Sequence, residues 1–434
     1  MSQELSRRGF VLTTAGAAFT AAPAVQSALG ASDKINIGFI GVGARGYYLM
    51  QMLYQGPGDL AQVTAVCEAY SGNLTRGVER VKTMGGNTPK SYVDYREVLA
   101  DPSIDAVVIA TPEHLHASMT LAAIKAKKHA YVEKPIAHTI EEGAEVVKAA
   151  QGYDRIIQIG TQNRSNPLYQ KAKEMVASGM IGDVHYVRAF WYRNFPDRSG
   201  NPAAWRYAIP ADASEKTCDW AKFLGPAAKR PFDKKRYFQW RNYWDYSGGI
   251  STDLLVHQTD ISNYVLGKAV PVSCMATGGI LVWGPPADDR EAPDTLSAIY
   301  KYSDKFHLNY SCFFGNDQYG YGEQFMGYEG TIEVLNRSEL HFYPQKFGGK
   351  APAAVSARQE VHQIQPPARD LTYDNLSVQL HLRNWLESIR GTAKPLAPPT
   401  EGQIAAIPGH MATLSYKQGK AILWDSKTQK YSFS

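Results

Sequence analysis

The 434-residue chain, with 44% hydrophobic and 20% charged residues, is too long for one typical core and is expected to divide into two domains. A net charge of only +5, with no lysine- and arginine-rich run and no basic-aromatic interleaving, argues against nucleic acid as a partner. Cys67, Cys218, Cys274 and Cys312 form no CxxC pair and flank no metal-spaced histidine, so no metal site is expected.

At the N-terminus, Ser6-Arg7-Arg8-Gly9-Phe10-Val11-Leu12 precedes a mildly apolar stretch rich in Ala, Gly and Thr that runs to about Ala28. This is the pattern of a twin-arginine export signal, so residues 1–31 are read as an address for the twin-arginine translocase, with cleavage between Ala24 and Ala31. Beyond it no apolar run reaches the roughly 20 residues that span a bilayer. The mature chain is therefore expected to be soluble and periplasmic, or otherwise exported. Because this route carries folded proteins, a cofactor can be loaded before export, and it would then be held tightly and recycled.

Residues 32–160 read as a nucleotide domain. Lys34 to Ile40 is a short strand of branched apolar residues that runs straight into Gly41-Val42-Gly43-Ala44-Arg45-Gly46, followed by a helical stretch from Tyr47 to Tyr54. Such a glycine loop between strand and helix lets a pyrophosphate approach the helix N-terminus. A second strand, Gln62 to Cys67, ends at Glu68, whose carboxylate suits the adenosine ribose hydroxyls and repels a 2′-phosphate. NAD is thus favoured, although Arg76 and Arg80 keep NADP as an alternative. Ile104 to Ala110 reads as a further buried strand, stopping at Thr111-Pro112 ahead of His116. Helices are expected near 95–99, 117–126 and 140–151. The alternation predicts a parallel, doubly wound sheet with its ligand at the carboxyl ends of the strands.

Ala130-Tyr131-Val132-Glu133-Lys134-Pro135 forms a strand followed by a Glu-Lys-Pro tripeptide, and Pro135 biases Lys134 toward extended backbone at the strand end. Together with Thr111-Pro112, His116 and the downstream segment from Gly248-Gly249 to His257, in that order, the chain resembles the Gfo/Idh/MocA oxidoreductases. The resemblance implies an NAD-dependent Rossmann domain and a second α+β domain. In it Lys134 faces the nicotinamide, Asp253 and His257 complete the catalytic group, and Thr111, Pro112, His116, Glu133 and Gln162 lie about the cofactor.

From Gln162 onward, residues 161–434 read as a substrate-binding and oligomerisation domain. Asn166-Pro167 caps a helix, which leaves Gln162 and Arg164 near the junction as cofactor and substrate contacts respectively. Strands at 185–193, 272–280, 296–302, 306–314 and 330–334 predict a large, mainly antiparallel sheet, with Cys274 and Cys312 on candidate neighbouring strands. If the segment after Gly248-Gly249 is helical, Asp253 and His257 share a face, and Asp253 can orient the imidazole and fix its tautomer. His257 would take the proton from a substrate hydroxyl while Lys134 stabilises the oxygen.

Trp205-Arg206 and the run Tyr237 to Tyr246 mix aromatic and polar groups. This suits a sugar's apolar ring faces and hydroxyl edges, with Trp240, Arg241 and Tyr246 as substrate contacts; packing at an interface is the competing reading. Tyr319-Gly320-Tyr321-Gly322 is a weaker candidate for a substrate loop. Residues 350–369 read as a surface excursion, and helices near 381–389 and 401–418 as structural. The expected substrate is a sugar, polyol or glycoside. A redox-neutral NAD-dependent glycosidase is the alternative, and a non-enzymatic ligand or redox sensor the second. The resemblance also implies a homodimer or homotetramer built through the second domain's sheet.

Overall fold

A computed structural model describes residues 33–194, 201–286, 288–346, 361–363 and 373–434. Residues 1–31, expected to be an export signal, and residues 350–360 and 364–369 of the expected surface excursion lie outside them.

Six parallel strands form the first sheet: β1 (Ile35–Ile40), β2 (Ala61–Cys67), β3 (Lys90–Tyr92), β4 (Ala106–Ile109), β5 (His129–Val132) and β6 (Ile157–Ile159), in the order β3-β2-β1-β4-β5-β6. Strands β1 and β4 are buried almost throughout, as expected where helices cover both faces. The helices are α1 (Ala44–Gln55), α2 (Ser71–Gly85), α3 (Tyr95–Ala100), α4 (Glu113–Lys125) and α5 (Ile140–Ala149). Sequence reasoning did not single out α2, whose polar surface and Gly72 and Gly77 weaken the helical signal. The order of strands reverses between β1 and β4, which opens a crevice at their carboxyl ends.

Helix α6 (Pro167–Ala177), capped by Asn166 with Pro167 in its first turn, leads to β7 (Val184–Arg193). Short helices α7 (Trp220–Leu224) and α8 (Lys234–Phe238) precede a π turn, Ser251–Leu255, that continues into α9 (Val256–Leu266). The remaining strands are β8 (Ser273–Gly279), β9 (Thr295–Lys301), β10 (His307–Phe313), β11 (Asn316–Gly327), β12 (Gly330–Leu335), β13 (Glu339–Pro344), β14 (Val361–Gln363), β15 (Ile422–Asp425) and β16 (Lys430–Phe433). They join β7 in a ten-stranded sheet, β14-β13-β12-β11-β7-β10-β9-β8-β15-β16. It is antiparallel as expected, except that β7 and β10 run parallel because the chain crosses over through α9 between them. Cys274 on β8 and Cys312 on β10 are not on neighbouring strands: β9 lies between them, and all four cysteines are free and buried.

One face of this sheet buries Leu308, Phe325, Ile332 and Leu340 beneath α6, α9 and α11 (Pro399–Gln418). The other exposes Met275 and Ile299, a cross-strand pair on β8 and β9 that are 45% and 52% exposed. Helix α10 (Tyr373–Ile389) returns to the first sheet, where Val378, Leu382, Trp385 and Leu386 pack with Leu49 and Leu53 of α1. No helix among the described residues is long and apolar enough to cross a membrane.

Candidate active site

A cavity of about 660 Å³ runs from the carboxyl ends of β1, β2 and β4 to the N-terminal end of α9, within the size range of small-molecule sites. Its first end is the glycine loop. Gly41 has φ +82°, and a Cβ there would stand 2.9 Å from the Ala110 carbonyl. At Gly46 a Cβ would fall 2.0 Å from the Gly41 oxygen, so both residues let the loop fold back against β4. Gly43 differs: the nearest atom to a Cβ there is 3.8 Å away, so its hydrogen faces open space. Gly43 also caps α1 without a side-chain acceptor, leaving first-turn amides to an incoming anion. Thr111 Oγ1 and Gln162 Oε1 are buried on the cavity wall without hydrogen-bond partners among the described residues. Open cradle, free amides and unpartnered polar atoms all fit a dinucleotide.

Ala44, Arg45, Thr111, Pro112, His116 and Glu133 line the same wall. Arg45 Nε donates to Glu133 Oε1 at 2.8 Å, tying the loop to the end of β5. His116 is a latch: Nδ1 lies 2.7 Å from the Pro135 carbonyl and Nε2 2.9 Å from that of Thr111. Burial holds its pKa below the ordinary value despite those two acceptors. Glu68 lines the cavity, but Oε2 accepts from the Val42 amide at 2.9 Å and Oε1 from Ala69 and Tyr70. Burial raises its pKa against those three bonds. Arg76 reaches the cavity wall, whereas Arg80 donates to Gln51 and lies over the Tyr47 ring.

At the other end the catalytic candidates converge. Lys134 Nζ donates to the Asp253 carbonyl at 2.6 Å and to Asp253 Oδ1 at 2.9 Å, and Arg241 Nε donates to the same Oδ1 at 3.1 Å. Burial alone would raise the Asp253 carboxyl; the charges of Lys134 and Arg241 and the lysine's hydrogen bond hold it well below the usual range, and so ionised. His257 is 7% exposed and lines the cavity. Burial, then the charges of Lys134 and Arg337, push its pKa well below the ordinary value, so the imidazole is neutral and able to accept a proton.

The expected pairing of Asp253 with His257 is not found: no hydrogen bond joins them. The reason is the π turn, in which the four-residue spacing no longer stacks one side chain above the next and Asp253 turns toward Lys134. Glu113, at the start of α4, fixes this turn from below. Its carboxylate accepts from Ser247 Oγ at 2.8 Å, the Gly248 amide at 3.1 Å and Thr252 Oγ1 at 2.7 Å.

Two expected substrate contacts fall elsewhere. Arg164 is a buried strut, bound to Asp260 at 2.6 Å and Glu401 at 2.9 Å, and does not line the cavity. Tyr246 is fully buried against His114 and Phe223, so here the packing reading wins. Trp240 and Arg241 do line the cavity, the guanidinium lying 4.2 Å from the indole centroid. Tyr319 is exposed away from the cavity, while Tyr321 stacks on Trp191 at 4.7 Å. Sequence reasoning missed Trp191, Arg193, Tyr207, Arg337 and Asp374 on the cavity wall. Trp191 and Arg193 alternate along the end of β7 and so share a face, a signal that was available. Among the described residues no cluster of three or more His, Cys, Asp or Glu could hold a metal ion.

Levoglucosan dehydrogenase of Pseudarthrobacter phenanthrenivorans is 28% identical over 57% of this chain and 57% of its own length. The scyllo-inositol 2-dehydrogenase (NAD(+)) of Bacillus subtilis is 24% identical over 91% of this chain and 97% of its own. A glycosyl hydrolase family 109 protein of Shewanella baltica is 34% identical over 27% of this chain and 26% of its own. The chain thus spans little more than half, or less, of two of these three relatives. A solved levoglucosan dehydrogenase in complex with NADH and levoglucosan superposes with a TM-score of 0.66 at 19% identity, covering 92% of this chain and 99% of that one, which establishes the common fold. Residues 35–161 match the NAD-binding Rossmann-fold domain of the Gfo/Idh/MocA oxidoreductases and residues 227–423 their C-terminal alpha/beta domain; the chain belongs to that family.

Proposed function

We propose that the protein is an NAD-dependent oxidoreductase that oxidises a hydroxyl of a sugar, polyol or glycoside. The observation that carries the reading is the convergence of Lys134, Asp253 and His257 at one end of a cavity whose other end is a glycine cradle. Bound NAD supplies the hydride acceptor. His257, neutral and without a hydrogen-bond partner among the described residues, takes the hydroxyl proton. Lys134 donates to the oxygen as charge develops on it, and Asp253 keeps that lysine oriented. Trp240 and Trp191 offer apolar surface to a sugar ring, and the names of the levoglucosan and inositol dehydrogenases support a polyhydroxylated substrate. The test is a panel of sugars, polyols and glycosides with added NAD, followed at the absorbance of reduced nicotinamide. Formation of NADH with an oxidised product supports the reading; none across the panel sinks it.

The family 109 match favours a second reading, redox-neutral glycoside cleavage with retained NAD. Release of nitrophenol from nitrophenyl glycosides without net NADH would distinguish it. Export by the twin-arginine route, proposed from Arg7-Arg8 and the apolar stretch after them, supports pre-loaded and recycled NAD under either reading. The exposed Met275 and Ile299 pair supports a homodimer or homotetramer through the second sheet, for which Ile299→Asp should yield monomer on light scattering.

A further inference from the structure

Among the described residues, the wall around His257 carries four cations, Lys134, Arg193, Arg241 and Arg337, and two carboxylates, Asp253 and Asp374. Asp253 is shared by Lys134 and Arg241. Asp374 accepts from Arg337 Nη1 at 2.8 Å and from Tyr321 at 3.3 Å. Arg337 is only 4% exposed, yet its Nε and Nη2 have no hydrogen-bond partner among the described residues. Glu323, the other carboxyl acting on it, is pushed up by burial to about 7 and accepts from Tyr169, so it balances the guanidinium only in part. The Arg193 guanidinium forms no hydrogen bond or ion pair with a described residue and lies 5.0 Å from the Trp191 ring centroid, as that of Arg337 does at 4.9 Å. Arg337 also occupies φ +55° in the turn between β12 and β13, where a non-glycine residue is uncommon.

Buried guanidinium donors without acceptors, as at Arg337, are costly, and the half-buried Arg193 beside the same indole adds a second guanidinium suited to a planar or tetrahedral oxyanion. We propose that the substrate is an anionic carbohydrate whose negative group, a carboxylate or a phosphate, is held by Arg193 and Arg337 beside Trp191. The proposal rests on the carbohydrate reading of the site and adds the charge of the substrate. A neutral sugar leaves the excess positive charge uncompensated, so charge selects among substrates that share the ring.

The test is calorimetric binding of matched pairs to the NAD-loaded mature protein: glucose with glucuronate, galactose with galacturonate, and each hexose with its 6-phosphate. In at least one pair the anionic member should bind about 10- to 100-fold more tightly, and Arg193→Gln and Arg337→Gln should each erase most of that preference while Arg337→Lys keeps part of it. Thermal unfolding and NAD titration identify any variant that fails to fold. Tighter uronate binding identifies a carboxylate and tighter phosphate binding a phosphoryl group. If the neutral members bind as well in every pair, or the preference survives both substitutions, the proposal is overturned and the carbohydrate reading stands. If no sugar of either kind binds, both fall.

Discussion

Lys134 at the end of β5 and Asp253 in the π turn before α9 meet through two hydrogen bonds, from Nζ to the aspartate's backbone carbonyl and to Oδ1. The lysine belongs to the nucleotide-binding half and the aspartate to the second, so the pair links the two halves where substrate and nicotinamide are expected to meet. Lys134→Ala should lower kcat/KM about 100- to 10,000-fold while NAD affinity stays within a few-fold, since the glycine cradle lies at the far end of the cavity. Steady-state kinetics with NAD titration checks this, and an active Lys134→Ala enzyme would remove the lysine from the chemistry.

The pH dependence of oxidation follows from His257. Only the neutral imidazole accepts a proton, and burial with the charges of Lys134 and Arg337 lowers its pKa, so kcat/KM should be level near neutrality and fall only below the ordinary histidine range. Arg337→Gln removes a positive neighbour and should move that acid limb to higher pH. A limb that stays in place would show that it reports another group.

Glycines of the loop separate folding from cofactor binding. Ala at position 46 would meet the Gly41 oxygen at 2.0 Å, so Gly46→Ala should lower both thermal stability and NAD affinity. Ala at position 43 meets no protein atom closer than 3.8 Å, so Gly43→Ala should fold as the parent does and lose NAD affinity alone. Melting curves with and without NAD distinguish the two.

Arg164→Ala should act through stability. It leaves Asp260, 1% exposed, as a buried charge without its guanidinium, at a cost of about 3–5 kcal/mol. Chemical denaturation measures the loss, while kcat and both KM values of the folded fraction should change less than about threefold. A large change in substrate KM would return Arg164 to the binding site.

Features encoded locally were the legible ones. The strand-loop-helix at Gly41 to Gly46 and the strand-end Glu133-Lys134-Pro135 each carry their meaning within a few residues, and the structure puts Gly41, Gly43, Ala44 and Arg45 of the first and Glu133 and Lys134 of the second on the cavity wall, while Gly46, expected to touch the cofactor, packs against the Gly41 carbonyl behind it. Arg164 was misplaced because its partner, Asp260, comes from a helix 96 residues later, and no local pattern distinguishes a strut from a ligand. In the aromatic run, Tyr237, Trp240 and Arg241 reach the cavity whereas Tyr243 and Tyr246 turn into the core, a division made by irregular short helices instead of a fixed period. Arg337 and Asp374 arrive from a hairpin turn and from α10, and only the fold brings them to Trp191. The helical spacing of Asp253 and His257 misled for a related reason, since one π turn redirects the carboxylate.

The most direct measurement uses a sugar or polyol that the panel shows to be oxidised, deuterated at its carbon-bound positions. The protein is incubated with it and NAD, denatured, and the released dinucleotide analysed by mass spectrometry. Reduced nicotinamide heavier by one deuterium, formed by the parent and not by Lys134→Ala, is the expected result. Reduced nicotinamide without deuterium, or equal labelling by the Lys134→Ala variant, would contradict hydride transfer from the sugar carbon at this site.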